Sequence, residues 1–307
     1  MDLFLTVCEL TLPVIVLIGL GVVCRARGIF DARAIDGLKR LISRYLMPFT
    51  LFNSLAKIEL SGTVAVLGVT CFCMCCLSLL LGHATRGICR EFSYHPYLCS
   101  AYEIGMLGIA LFPLLFGDTG LGYLASMDIG ACFFFFCIYI PMLNGGKGDG
   151  PKQTLKNIFS SPALLACSAG IFCNLTGISR LVFGSAIGPV LDSIISMLTK
   201  SITPLILIVV GYGFQLSRRL LPSVLKTCAM RFAISIPVCL LALLALELFH
   251  IRDEVVRFAV IFVAALPAPF STSVYAKDDL QQAYMNTRMS LYVIITILVF
   301  AVLCALA

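Results

Sequence analysis

Two stretches of this chain set a hydroxyl, a cation and a proline in the same order inside long apolar runs. One is Ser43-Arg44-Tyr45-Leu46-Met47-Pro48, the other Thr199-Lys200-Ser201-Ile202-Thr203-Pro204. A proline within a helix removes a backbone hydrogen bond, and a cation in hydrocarbon is costly unless it is partnered or functional. Repeating both costs at corresponding places points to a solute site between two related halves. Four charges lie deep in such runs: Arg44, Glu103, Asp128 and Lys200. Arg44 and Glu103 fall at similar depth, as do Lys200 and Asp128, so one reading is a pair of fixed salt bridges bracing a bundle. In the other, Arg44 and Lys200 attract an anion, Glu103 exchanges a proton, and Asp128 belongs to the same charged set.

Two further stretches have the composition of broken helices. Glu103-Ile104-Gly105-Met106-Leu107-Gly108-Ile109-Ala110-Leu111-Phe112-Pro113 combines glycines with a proline and an acid. Ala264-Ala265-Leu266-Pro267-Ala268-Pro269-Phe270-Ser271-Thr272-Ser273 sets two prolines before three hydroxyls. Irregular backbone at membrane depth is tolerated where surrounding protein satisfies its polar groups. Two such segments crossing near the midplane would turn half-helix N-termini, with their positive partial charge, toward an anion. The alternative is that the small residues merely allow close helix packing. Asn53, about a turn and a half beyond Pro48, and Ser54 could fill the gap that the proline opens or meet the solute.

The elements that must position these residues are membrane helices. Of 307 residues, 60% are hydrophobic and 12% charged, about half the charge of a soluble domain. Spans of about 20 apolar residues divide the chain into ten segments. These are Leu3 to Cys24, Ile35 to Ala56, Gly62 to Gly82, Tyr94 to Phe116 and Leu121 to Leu143. After a polar link come Ser161 to Gly177, Pro189 to Leu216, Val224 to Phe249, Val255 to Ala276 and Ala283 to Leu306. The expected organisation is a first five-helix repeat over residues 1–143, a cytoplasmic linker over 144–157, and a second, inverted repeat over 158–307. Five crossings per half is an odd number, which makes the second repeat enter the membrane with opposite polarity. Pro48 and Pro204 lie 156 residues apart, as do Pro113 and Pro269, while Pro13 with Gly21 matches Pro162 with Gly170.

Cations settle the expected orientation. Those following segments one, three, seven and nine, with those in the link, number 14 against 4 (Lys57, Arg180, Arg252 and Arg257) on the other side. The positive-inside rule then places both termini outside. Arg231 and Arg288 fall near the inner ends of their segments and are expected to snorkel to the headgroups. Fifteen cysteines sit mostly in apolar runs, where they act as small hydrophobes. The cluster Cys71, Cys73, Cys75 and Cys76 has no histidine or second cluster beside it, so a soft-metal site is the minor reading there.

At segments four and nine the chain resembles the auxin efflux carrier family, which includes the plant PIN-FORMED auxin transporters and bacterial dicarboxylate permeases. The resemblance rests on Gly105-Met106-Leu107-Gly108-Ile109-Ala110, Leu266-Pro267-Ala268-Pro269, Pro204 to Gly211, and Leu46-Met47-Pro48. It implies an all-α membrane protein of about ten transmembrane helices in two inverted five-helix repeats, with broken helices four and nine crossing at the substrate site. It implies that those two segments supply the site while two and seven belong to the scaffold. With Asn53 added from its place beyond Pro48, the expected substrate-binding residues are Asn53, Glu103, Gly105, Gly108, Ala110, Pro267, Ala268, Pro269, Ser271 and Ser273. Ala110 stands where the family usually has a crossover proline, and Glu103 where an uncharged polar residue is common. The long cytoplasmic loop of many plant members is absent, which points to a bacterial-type organic-acid permease in the inner membrane.

The leading expectation is a secondary transporter of a small organic anion, a dicarboxylate or an auxin-like carboxylate, working by alternating access. H+ is the expected coupling ion and Na+ its alternative. A membrane ligand sensor is the second reading. No cofactor, nucleic acid or enzymatic chemistry is implied: the chain has no P-loop and no His-Glu-x-x-His motif, and its histidines lie near loops. The other expected partner is the lipid bilayer, with a homodimer left open.

Overall fold

The computed structural model describes residues 2–58, 62–88, 94–143, 160, 162–269, 272 and 278–306, and every regular element among them is helical. The linker expected over 144–157 therefore lies outside the described residues, as do Ser271 and Ser273. Among the described residues, six helices are long and apolar enough to cross a membrane: Val7–Ala26, Gly62–Gly87, Pro113–Leu143, Gly188–Gly213, Leu221–Leu248 and Asp279–Leu306. They are segments one, three, five, seven, eight and ten, with Pro113–Leu143 also carrying the end of segment four. The chain is an all-α integral membrane protein.

The remaining segments depart from a straight helix, each for a local reason. Segment two runs Ala32–Leu41, a π-helical turn over Ile42–Leu46, then Met47–Lys57. Pro48 would clash with a carbonyl in a regular preceding turn, and the wider turn removes that conflict. A second π-helical stretch, Phe135–Tyr139, likewise precedes Pro141. The turn at Pro48 is thus relieved by backbone geometry, while Asn53 Oδ1 and Ser54 Oγ, the groups expected to fill the gap, have no hydrogen-bond partner among the described residues. Segment six is short, Pro162–Leu175, and is followed by a surface helix, Ile178–Phe183, that the hydropathy pattern merges into the loop. Segments four and five share one continuous element, but Gly117 (φ 57°) breaks it between them.

Close backbone approach fixes the pairing of helices. Segment one packs chiefly on segment seven, and segment six on segment two. A Cβ on Gly21 would overlap the backbone of Ile208, Gly211 and Tyr212. One on Gly170 would meet Phe52, Leu55 and Ala56. The two sets correspond residue for residue: Gly21 and Gly170 lie 149 positions apart, and 52, 55 and 56 become 208, 211 and 212 on adding 156. The helix ends are capped in the same relation. Asn174 Nδ2 donates to the carbonyls of Leu55 (2.8 Å) and Ile58 (2.6 Å). Arg25, also 149 positions before Asn174, donates to those of Tyr212 (3.5 Å) and Phe214 (3.3 Å). Segments three and five meet at a comparable seam, where a Cβ on Gly130 would fall on the carbonyl of Gly68.

These seams leave no room for a side chain. Gly211→Leu is expected to destabilise the purified protein by about 1–3 kcal/mol or more, read as a lower Tm in detergent. Gly19→Ala, whose added Cβ meets nothing within 4 Å, should be neutral or stabilising by up to about 1 kcal/mol. Equal behaviour of the two variants would contradict the seam.

Candidate functional site at the helix crossover

Segment four begins with a single turn, His95–Cys99, and then runs without helix through Ser100–Glu103 before a π-helical stretch, Ile104–Gly108. Ala101 takes φ 53°, a left-handed conformation costly for a residue with a Cβ, and such strain persists only where its surroundings fix it. Segment nine is helical over Glu254–Ala264 and non-helical over 265–269. The two irregular stretches touch: Glu103 N–H donates to the Pro267 carbonyl at 2.9 Å. Gly108 faces Leu266, whose Cδ1 would lie 3.3 Å from an added Cβ. The expected crossing of broken helices four and nine is present, formed by backbone.

Breaking two helices at membrane depth frees carbonyls that water cannot reach, and each needs a donor from protein. Arg231 supplies most of them. It is fully buried, and its Nη atoms donate to Leu98 O (2.7 Å), Ser100 O (3.3 Å), Ala101 O (2.9 Å) and Leu266 O (2.8 Å). One guanidinium therefore ties both breaks together, a task its planar fork of donors suits. It sits 5.3 Å from the Tyr102 ring centre and 5.0 Å from that of Tyr292, within cation–π range. Arg288, 1% exposed, donates to Leu98 O (2.8 Å) and Thr227 O (3.5 Å). Thr296 Oγ1 donates to Ala265 O at 2.7 Å, and the hydroxyls of Tyr139 and Thr272 pair at 2.8 Å.

Snorkelling, the expectation for Arg231 and Arg288, is thus corrected. Their side chains turn inward because the freed carbonyls lie at their own depth and bind a cation within the protein. Sequence carries the signal that finds them: a cation inside an otherwise apolar helix is a functional candidate by default. Reckoning depth from the hydropathy ends masked it: the helices begin at Leu221 and Asp279, ten and nine residues before these arginines.

The crossover gathers Glu103, Gly105, Gly108, Pro267, Ala268 and Pro269. Glu103, Gly105, Met106 and Pro269 are half-buried, while Ile104, Leu107, Gly108 and Leu266 are buried. Glu103 also accepts from the Met106 N–H at 3.3 Å, capping the π-helical stretch. Gly105 lies against Met47 of segment two. Ala110, expected at the crossover, sits instead in the helical turn Ile109–Leu111 and is fully buried. The break falls at 100–103, upstream of it, where Arg231 rather than a proline stabilises the irregular backbone. Moved by 156 positions, Ala101 falls inside the regular helix Glu254–Ala264, so the two breaks are not placed symmetrically.

The charges paired by depth are not ion-paired here. Arg44 and Lys200 are exposed, and neither forms a salt bridge among the described residues. Asp128 is 6% exposed, with the Cys132 thiol as its hydrogen-bond partner at 3.9 Å. The helices bearing Arg44 and Lys200 do meet, with the hydroxyls of Thr50 and Thr199 3.2 Å apart. Asn53 is half-buried and makes no side-chain hydrogen bond to either broken segment among the described residues. Of the cysteine cluster, Cys71 and Cys75 face inward and Cys73 outward. Among the described residues no three His, Cys, Asp or Glu side chains converge on a metal position.

Broken helices that meet at their breaks are a device typical of secondary transporters. Residues 6–150 match the sequence profile of a family described as membrane transport protein, which bears out the resemblance to auxin efflux carriers. The chain is also 25% identical over 215 residues to a protein of Methanothermobacter thermautotrophicus named as an uncharacterized transporter, covering 68% of each chain. The protein is a membrane transporter.

Arg231→Met would leave buried carbonyls of both breaks without donors, at about 1–3 kcal/mol each. A loss of about 3–5 kcal/mol in stability is expected, read by thermal unfolding in detergent. Arg231→Lys keeps the charge without the fork and should lose less. A methionine variant as stable as wild type would remove Arg231 from this role.

Proposed function

We propose that the chain is a secondary transporter of a small organic anion, a dicarboxylate or an auxin-like carboxylate, with the crossover as its solute site. One observation carries this reading. Arg231 and Arg288 lie buried beside the breaks with carbonyl, thiol and aromatic neighbours, and no carboxylate pairs with either among the described residues. Two cations in a low-dielectric interior make the crossover positive, and a carboxylate solute arriving there offsets that charge. Arg44 and Lys200, exposed on segments two and seven, would draw the anion toward the cleft.

In this reading segments one, two, six and seven form one body, held by the seams at Gly21, Gly170 and Gly211. The crossover moves with segments three, five, eight and ten. The matching glycine contacts and helix caps support two related halves, 1–143 and 158–307, and the opposite polarity of the second supports alternating access around a midplane site. The excess of cations on one side supports termini outside, and a bacterial-type inner membrane is the proposed location.

The coupled ion we propose is a proton, carried by Glu103 at the crossover. Sodium would need several convergent oxygens, and four backbone oxygens that converge there already bind Arg231. Labelled malonate, malate and an indole carboxylate, offered to proteoliposomes with and without a pH gradient, test the proposal. At least one should enter, faster when a gradient is imposed, and Glu103→Gln should remove the gradient's effect while leaving uptake down a concentration gradient. Binding of an anion without uptake would favour a sensor. A sodium-driven, pH-independent flux would overturn proton coupling.

A further inference from the structure

Three cavities outside the crossover join at one end of segment six. The middle one, about 590 Å³, has a mixed lining in which Lys57, Asn174, Ser179 and Arg180 stand beside Leu175 and Phe183. On one side it shares Leu175 with an apolar groove of about 770 Å³ running between segments three and five, past Ala65, Val69, Phe72 and Phe133. On the other it shares Ser179 and Phe183 with a second apolar groove of about 530 Å³, past Phe49, Phe52, Ala166 and Ile194. Ile171 and Leu175 line the first groove, Ala166 and Cys173 the second. At about 100° per residue these pairs lie on opposite faces of the helix Pro162–Leu175. The grooves straddle that helix and meet at its end.

We propose that this is a binding site for one anionic two-chain phospholipid, its phosphate at Arg180 and Lys57 and one acyl chain in each groove. Charge complementarity selects the occupant. Lys57 is ion-paired with Asp192 and lies 4.4 Å from the Phe183 ring centre, so its position is fixed. Arg180 is exposed, and its side chain has no partner among the described residues. Two cations against one carboxylate leave a net charge of +1 among the described residues, which one phosphodiester neutralises; the described lining itself contains no carboxylate. Amide and hydroxyl groups of Asn174 and Ser179 stand beside it, although the Asn174 amide nitrogen is already committed to Leu55 and Ile58. The grooves beyond are apolar, as acyl chains require, and hydrocarbon surrounds this helix in a bilayer. The inference does not depend on what the crossover carries.

The test uses the purified full chain in detergent, with dioleoylphosphatidylglycerol, dioleoylphosphatidylcholine and single-chain lysophosphatidylglycerol as the lipids added. Bound lipid is counted by native mass spectrometry and Tm is recorded. The expected result is retention of one phosphatidylglycerol per chain with a raised Tm, and weaker retention of the other two. Arg180→Gln should weaken phosphatidylglycerol binding about tenfold, the loss of about 1.4 kcal/mol. Ala65→Trp or Ala166→Trp, each filling one groove, should reduce binding of the two-chain lipid to the single-chain level. Equal retention of phosphatidylglycerol and phosphatidylcholine by the wild type would overturn the proposal, as would undiminished binding by Arg180→Gln. Equal binding of the one-chain and two-chain lipids would overturn the straddling arrangement.

Discussion

A peptide group in hydrocarbon must find a hydrogen-bond partner inside the protein. Two helices that stop and cross at that depth raise this requirement in its sharpest form, because each break exposes several carbonyls together. Arg231 meets it with a single side chain, donating to oxygens of both broken segments. Arg288, Thr296 and the Glu103 amide complete the set. Remove this donor set and the crossover has no reason to exist: straight helices would satisfy the same groups at no electrostatic cost.

The solution has an electrical consequence. Carbonyl dipoles and aromatic faces stabilise a guanidinium without cancelling its charge. Holding the irregular backbone with cations therefore leaves two buried positive charges at the crossover, and the proposed function takes these as its attraction for an anion. The same device occupies the oxygens that a metal cation would otherwise need. In the proposed function, structure and selectivity are linked through one pair of residues on segments eight and ten, neither of which belongs to the broken helices themselves.

The rest of the bundle is organised by contact rather than by charge. Glycine seams bring segment one against seven and six against two, and the same numerical shifts relate the contacts and the caps of these helix ends. The cap residues differ in chemistry while making the same kind of contact: Arg25 and Asn174 both donate to the last carbonyls of the neighbouring helix. The crossover departs from it, with the breaks in segments four and nine at non-equivalent positions.

How much of this was legible in the chain follows from the range of each interaction. Apolar runs, the prolines at 48, 113, 204 and 269, and the glycine-rich and proline-rich stretches of segments four and nine determined a bundle of membrane helices with two broken members, since span length and backbone breaking are local properties. The ends of segments one, two, three, seven, eight and ten follow closely from hydropathy for the same reason. Sequence could not say where segment four breaks. Its break at Ser100–Glu103 is held by residues 130 or more positions away, and the proline-like position Ala110 remains helical. Nor could depth along a helix reveal whether Arg231 turns outward to headgroups or inward to carbonyls, or whether Arg44 and Glu103 pair. Those choices depend on which acceptors neighbouring segments present, and only the packed bundle brings those acceptors within hydrogen-bond distance.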